Sequence, residues 1–303
     1  MTSTAATDLQ ARTATAGIVV GIDGSDGSAH ALAWAAARTE TFGPVRPVAA
    51  WRYPAWAMSD PMLGAPPAMA PDDFAAAASQ RADELVATLG DIPHEAAVVT
   101  RAAAGPALVD VGKDAELIVV GTRGRGAVID GLLGSVSSHV VAHATVPVAV
   151  VPAKAPIEDT QRRVVVGIDG SENSVHAMAW AIRTAAEDVT IEAVMGWSQQ
   201  VIAVPEPYVI PYDESEQQAR ANVERVLTEA RALAGRPERE VVTLLEYGDP
   251  RTILRDRAAA ADLLVLGARG HRGVAHLLLG SVTTGLVHQP NVTTVVVPIG
   301  PRS

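Results

Sequence analysis

Two stretches of this 303-residue chain carry glycines at a spacing suited to holding an anion. Gly121-x-x-Gly124 is followed, after nine residues, by Gly134-Ser135; Gly267-x-x-Gly270 is followed, again after nine, by Gly280-Ser281. Glycine lets a backbone approach a ligand closely and adopt positive φ. Successive amides can then form an anion-binding concavity. Each stretch runs into a predicted helix, whose first N–H groups and positive dipole end add to the attraction. Hydroxyls of Ser135, Ser137 and Ser138, matched by Ser281, Thr283 and Thr284, are candidate donors flanking Val136 and Val282. Arg123 and Arg125, beside Gly126, and Arg269 and Arg272 supply positive charge. The chemistry predicted is phosphate binding, once per stretch.

A second pair of segments stands earlier in each half: Gly21-Ile22-Asp23-Gly24-Ser25 and Gly167-Ile168-Asp169-Gly170-Ser171. Each closes a predicted strand. In open parallel sheets, ligands bind at the carboxyl ends of strands where the winding reverses. A carboxylate there, Asp23 or Asp169, suits a ribose hydroxyl or a bound Mg²⁺. The P-loop pattern G-x-x-x-x-G-K-[ST] is absent, and the lysines, Lys113 and Lys154, lie outside the glycine stretches. His139 and His143 have the spacing of a metal pair on a helix, but their counterparts are Gly285 and Gln289, so no zinc site is expected. His30 and His176 precede Trp34 and Trp180 by one helical turn and read as packing or capping residues; Trp51 and Trp197 read as core.

The chain must position these residues twice. From Gly21 to Gly167, Gly121 to Gly267, Gly134 to Gly280 and Trp51 to Trp197 the offset is 146 residues throughout. A duplication holding register that long predicts two domains of ordinary size: 17–152 and 163–300, joined by a linker over 153–162 and preceded by a flexible tail over 1–16. Hydrophobic residues make up 48% and aromatics 4%, so the cores must be aliphatic. There is no cysteine, which excludes disulfides and thiolate chemistry. A net charge of −10 argues against nucleic-acid or anionic-membrane partners. No apolar run is long enough for a membrane span, and the expected location is the cytoplasm.

Within the first half, apolar runs at Gly17–Ile22, Val45–Trp51, Glu95–Thr100, Leu117–Gly121 and Val146–Val151 read as strands. Helices are predicted over Ser28–Thr39, from Asp72 or Asp73 to about Leu89, over Pro106–Asp114 and over Ser135–Ala144. Ser25 or Asp26 is the candidate first cap. Five prolines over 52–72 mark a long loop. The second half repeats this order to Val292–Val297. Such alternation predicts an α/β fold: a parallel sheet with helices on both faces, doubly wound, in tandem.

V-G-x-D-x-S at the start of each half, with G-x-x-G, nine residues and G-[ST] later, resembles the universal stress protein family, and within it the tandem, ATP-binding branch. The resemblance spans nearly the whole chain. It implies five-stranded sheets in the order 3-2-1-4-5. It implies ATP phosphates over Gly121–Gly124 and Gly134–Ser137, Asp23 at the adenosine end and the backbone of Val48–Ala50 beside the adenine. The second site would use Asp169, Gly267, Arg269, Gly270 and Gly280–Thr283. Two positions depart from the family pattern. The G-x-P at the third helix is present in Gly248-Asp249-Pro250 but not at Ala104-Gly105-Pro106, and Val146-Pro147-Val148 is answered by Val292-Thr293-Thr294. The function so implied is regulatory binding of ATP or ADP with Mg²⁺, Asp23 and Asp169 being the candidate ligands. Hydrolysis would be absent or slow. The expected assembly is a homodimer whose chains each pair their two domains about a pseudo-two-fold axis. The alternatives are an ATP-hydrolysing or ATP-using enzyme and a purely structural dimerisation module.

Overall fold

A computed structural model describes residues 17–52, 71–122, 133–159, 161–199, 201–202, 208–209, 211–270 and 279–299. The predicted tail over 1–16 and most of the proline-rich segment 52–72 lie outside the described residues. The chain divides into two compact units, Met1–Asp159 and Thr160–Ser303.

Unit 1 runs β1 (Ile18–Gly21), α1 (Asp26–Ala36), a single turn α2 (Thr39–Phe42), β2 (Val45–Trp51), α3 (Pro71–Val86), β3 (Val98–Arg101), α4 (Ala104–Val111), β4 (Leu117–Gly121), α5 (Ser135–His143) and β5 (Val148–Val151). β1 pairs in parallel with β2 on one side and β4 on the other; β3 adds to β2 and β5 to β4. The order is therefore β3-β2-β1-β4-β5, all parallel. Leu117–Gly121 and Val148–Val151 are buried at every position, as strands covered on both faces must be.

Unit 2 runs β6 (Arg163–Gly167), α6 (Glu172–Thr184), β7 (Thr190–Trp197), a short antiparallel pair β8 (Val201–Ile202) and β9 (Tyr208–Val209), α7 (Tyr212–Ala234), β10 (Val242–Tyr247), α8 (Pro250–Ala258), β11 (Leu263–Gly267), α9 (Ser281–Val287) and β12 (Thr293–Val297). Its main sheet, again parallel, is ordered β10-β7-β6-β11-β12. The strand order reverses beside the first strand of each unit, so Asp23 and Gly121 in one, and Asp169 and Gly267 in the other, stand at neighbouring carboxyl ends of the switch point.

The helix boundaries follow caps more closely than hydrophobic runs. α1 starts at Asp26, two residues before the predicted Ser28, because the Ser25 hydroxyl accepts from Ser28 N at 3.2 Å. Ser171 does the same for α6 through Ser174 N at 3.2 Å. α4 starts at Ala104 rather than Pro106, leaving Pro106 inside the first turn. A proline is tolerated there because the amides of that turn have no helical acceptor.

The predicted linker is tied down by hydrogen bonds. His30 Nε2 lies 2.7 Å from Ala155 O. The Arg38 guanidinium, 3.8 Å over the Trp34 ring, donates to Trp34 O at 2.8 Å and Ile157 O at 3.1 Å and pairs with Asp159 at 3.4 Å. Burial pulls the Arg38 pKa down to about 10, against the attraction of Asp159, so it stays charged at neutrality. In unit 2, Asp262 Oδ2 accepts from Arg162 N and Arg163 N at 2.8 and 2.9 Å. Among the described residues, no helix is long and apolar enough to cross a membrane.

Candidate functional site

The site is built from strand ends. After β1, Asp23 Oδ1 accepts from Ser25 N at 3.0 Å and Ser25 Oγ at 2.6 Å, closing an Asx turn with Gly24 at φ 78°. The same turn follows β6, where Asp169 Oδ1 accepts from Ser171 N at 3.0 Å and Gly170 has φ 84°. One turn thus holds the carboxylate at the sheet edge and places the serine that caps the next helix. Both aspartates remain exposed.

The neighbouring strand end supplies the glycines. Beyond β4, Gly134 N donates to Thr122 O at 2.8 Å, and beyond β11, Gly280 N donates to Ala268 O at 2.9 Å. These bonds bring the start of α5 and of α9 back to the strand that precedes each glycine stretch. Ser137 Oγ donates to Gly121 O at 2.6 Å, and Thr283 Oγ1 to Gly267 O at 2.7 Å. Both side chains are buried. Their protons fasten helix to strand. Val282, half-buried, packs its side chain on the Ile253–Leu254 core cluster. Ser135 and Ser281 stay exposed at the helix starts.

The glycines separate into two groups. A Cβ at Gly21 would stand 2.8 Å from a Leu108 methyl, and one at Gly167 would stand 2.7 Å from Leu266 and 3.0 Å from Leu254. Their side-chain-free faces admit core leucines, so packing accounts for glycine at these two positions. At Gly267 a Cβ would meet Asn173 of α6 at 2.7 Å. Gly270 and Gly280 differ. A Cβ at Gly270 would lie 2.5 Å from Asp169 Oδ2, and one at Gly280 would lie 3.3 Å from Gly270 N. In unit 2 the structure therefore gathers Asp169, Gly270 and Gly280 in one place, with the exposed Arg269 adjoining. In unit 1, Asp23, Gly121, Gly134, Ser135, Val136 and Ser137 are described, whereas Arg123, Gly124, Arg125 and Gly126 lie outside the described residues.

The tandem match is what decides the family. The model of the universal stress protein family fits residues 17–152 and again 161–298. The chain belongs to the universal stress protein family. Universal stress protein Rv2005c of Mycobacterium tuberculosis is 33% identical over 302 residues, covering 92% of this chain and 96% of the relative. A universal stress protein of Mycolicibacterium smegmatis is 32% identical over 305 residues, covering 94% and 97%. The crystal structure of a universal stress protein from Archaeoglobus fulgidus superposes with a TM-score of 0.63 at 18% identity, covering 94% of this chain and 98% of that one; this likeness shows the fold.

This universal stress protein carries two features beside the site that sequence reasoning missed. In unit 2, Arg225 of α7 donates to Gly170 O, and Asn222 lies against Gly170, so α7 covers the Asp169 turn. Gly170 is accordingly buried while Gly24 is exposed. The second feature is an aromatic cluster, Trp197, Tyr212 and Tyr247. No motif signals either: the contacting residues are separated by long stretches of sequence and meet only through strand order.

Proposed function

We propose that each unit of this universal stress protein binds one ATP, with Mg²⁺ carried on the phosphates, and that occupancy is a regulatory state rather than a step in turnover. The observation that carries the reading is the convergence of Asp169, Gly270 and Gly280 at the switch point of unit 2. Gly270 holds its Cα so near the carboxylate that any side chain would occupy the space. A backbone bare of side chains beside a carboxylate suits a polyphosphate with its cation. Among the described residues no group of three or more His, Cys, Asp or Glu could hold a metal. One carboxylate per site, Asp23 or Asp169, matches the way Mg²⁺ binds through one or two carboxylates and substrate phosphates. Binding without rapid hydrolysis is supported by the sequence, which repeats Arg123 as Arg269 beside the glycines but, apart from the aspartates given to Mg²⁺, repeats no acid or base there.

Equilibrium dialysis of the full chain against ATP with Mg²⁺ tests this. Retention of nucleotide that is lost when Asp23→Ala and Asp169→Ala are combined is the expected result. No retained nucleotide at millimolar ATP would reject the reading, and rapid release of phosphate, abolished by the same pair, would replace it with an ATPase.

A further inference from the structure

Three aromatic side chains of unit 2 meet at the carboxyl edge of its sheet. Trp197 closes β7, Tyr247 closes β10 opposite it in register, and Tyr212 opens α7. Ring centroids lie 4.7 Å apart for Trp197–Tyr212, 5.2 Å for Trp197–Tyr247 and 5.6 Å for Tyr212–Tyr247. At these distances the rings touch. They leave no gap for a cation between them, so the cluster is a platform and not a cage. Trp197 is 7% exposed, yet Tyr212 and Tyr247 keep 47% and 56% of their surfaces open. With aromatics only 4% of the chain and the core aliphatic, this cluster is not a by-product of an aromatic interior.

The platform extends the line of the site. Across the sheet the strand ends run β11, β6, β7, β10, carrying in turn Gly267, Asp169, Trp197 and Tyr247. At the usual strand spacing, the ends of β7 and β10 lie roughly 5 and 10 Å from that of β6. α7 passes the Asp169 turn at Asn222 and Arg225 and reaches Tyr212 ten residues earlier, about 15 Å along the helix. A nucleoside triphosphate with its phosphates by Gly270 and Gly280 and its ribose by Asp169 directs its base toward β7. Unit 1 presents something else at the matching positions. There Trp51 has the Arg101 guanidinium 5.6 Å from its ring centroid.

We infer that Tyr212 and Tyr247 stack on the base of the nucleotide held in unit 2, and that base recognition is stronger there than in unit 1. The inference rests on the nucleotide-binding reading above. Calorimetric titration of the full chain with ATP, and separately with inorganic tripolyphosphate, tests it. Tyr212→Ala and Tyr247→Ala each lower the ATP affinity of one site about tenfold, within the range of a lost base–aromatic stack, and leave tripolyphosphate binding unchanged. Tyr247→Phe keeps the wild-type affinity. Alanine variants that bind ATP like the wild type overturn the inference while leaving nucleotide binding intact, and so do variants that lose ATP and tripolyphosphate alike. A wild-type chain that binds neither ligand overturns the nucleotide reading itself, and the inference with it.

Discussion

A methyl group at Gly270 would stand 2.5 Å from Asp169 Oδ2, so Gly270→Ala must turn the carboxylate away and fill the space beside it. The substitution is expected to remove nucleotide from unit 2 alone, halving the amount retained in dialysis, with the far-ultraviolet circular dichroism unchanged. The capping serines test the turn instead of the ligand. Ser25→Ala or Ser171→Ala removes the acceptor for Ser28 N or Ser174 N and should cost about 1 kcal/mol in chemical denaturation. At this scale the sequence revealed which residues stand together but not what each does. Gly21, Gly167 and Gly270 look alike as letters; only packing shows that Leu108 and Leu254 claim the first two. Ser137 and Thr283 likewise looked like ligand donors, and only the fold shows the carbonyls that take their protons.

Helices transmit the position of these residues, and two of them carry testable loads. On α5 the rings of His139 and His143 stack at 4.0 Å, with Gly105 of α4 closely apposed to His139. Burial, and secondarily the neighbouring His143, hold the His139 pKa below 6.5. The unfolded chain therefore takes up this proton first as pH falls. The stability contributed by neutral His139 is complete above about pH 6.5 and is lost as pH falls through the lower folded value. Thermal unfolding of unit 1 should move to lower temperature on acidification, and His139→Gln should flatten that dependence. On α1, Arg38 binds the strap that ends unit 1. Arg38→Ala leaves the Ile157 carbonyl and Asp159 without it and should destabilise unit 1 by about 2–3 kcal/mol, with faster proteolytic cutting near residues 155–162. The central strands were legible as nearly continuous runs of valine, isoleucine and leucine. The strap was not, because proline and mixed charge mark a linker without showing its hydrogen bonds, which come from α1, more than a hundred residues earlier.

Across the whole molecule, a chain of net charge −10 is proposed to hold polyanions, so the attraction must be local. Arginines beside the glycines and oriented backbone amides act over a few ångströms, within the Debye length of about 8 Å at physiological salt. The duplication was plain in the sequence, and the family match over 17–152 and 161–298 follows it. The asymmetries were not plain: α7 buries the Gly170 turn while Gly24 is open, and an aromatic platform stands where unit 1 has Trp51 with Arg101. Each unit is proposed to hold one nucleotide. Native mass spectrometry of the full chain equilibrated with ATP and Mg²⁺ counts them directly. The expected result is a species carrying two nucleotides, reduced to one by Gly270→Ala; a chain that stays at its bare mass throughout the titration holds no nucleotide and overturns the proposed function.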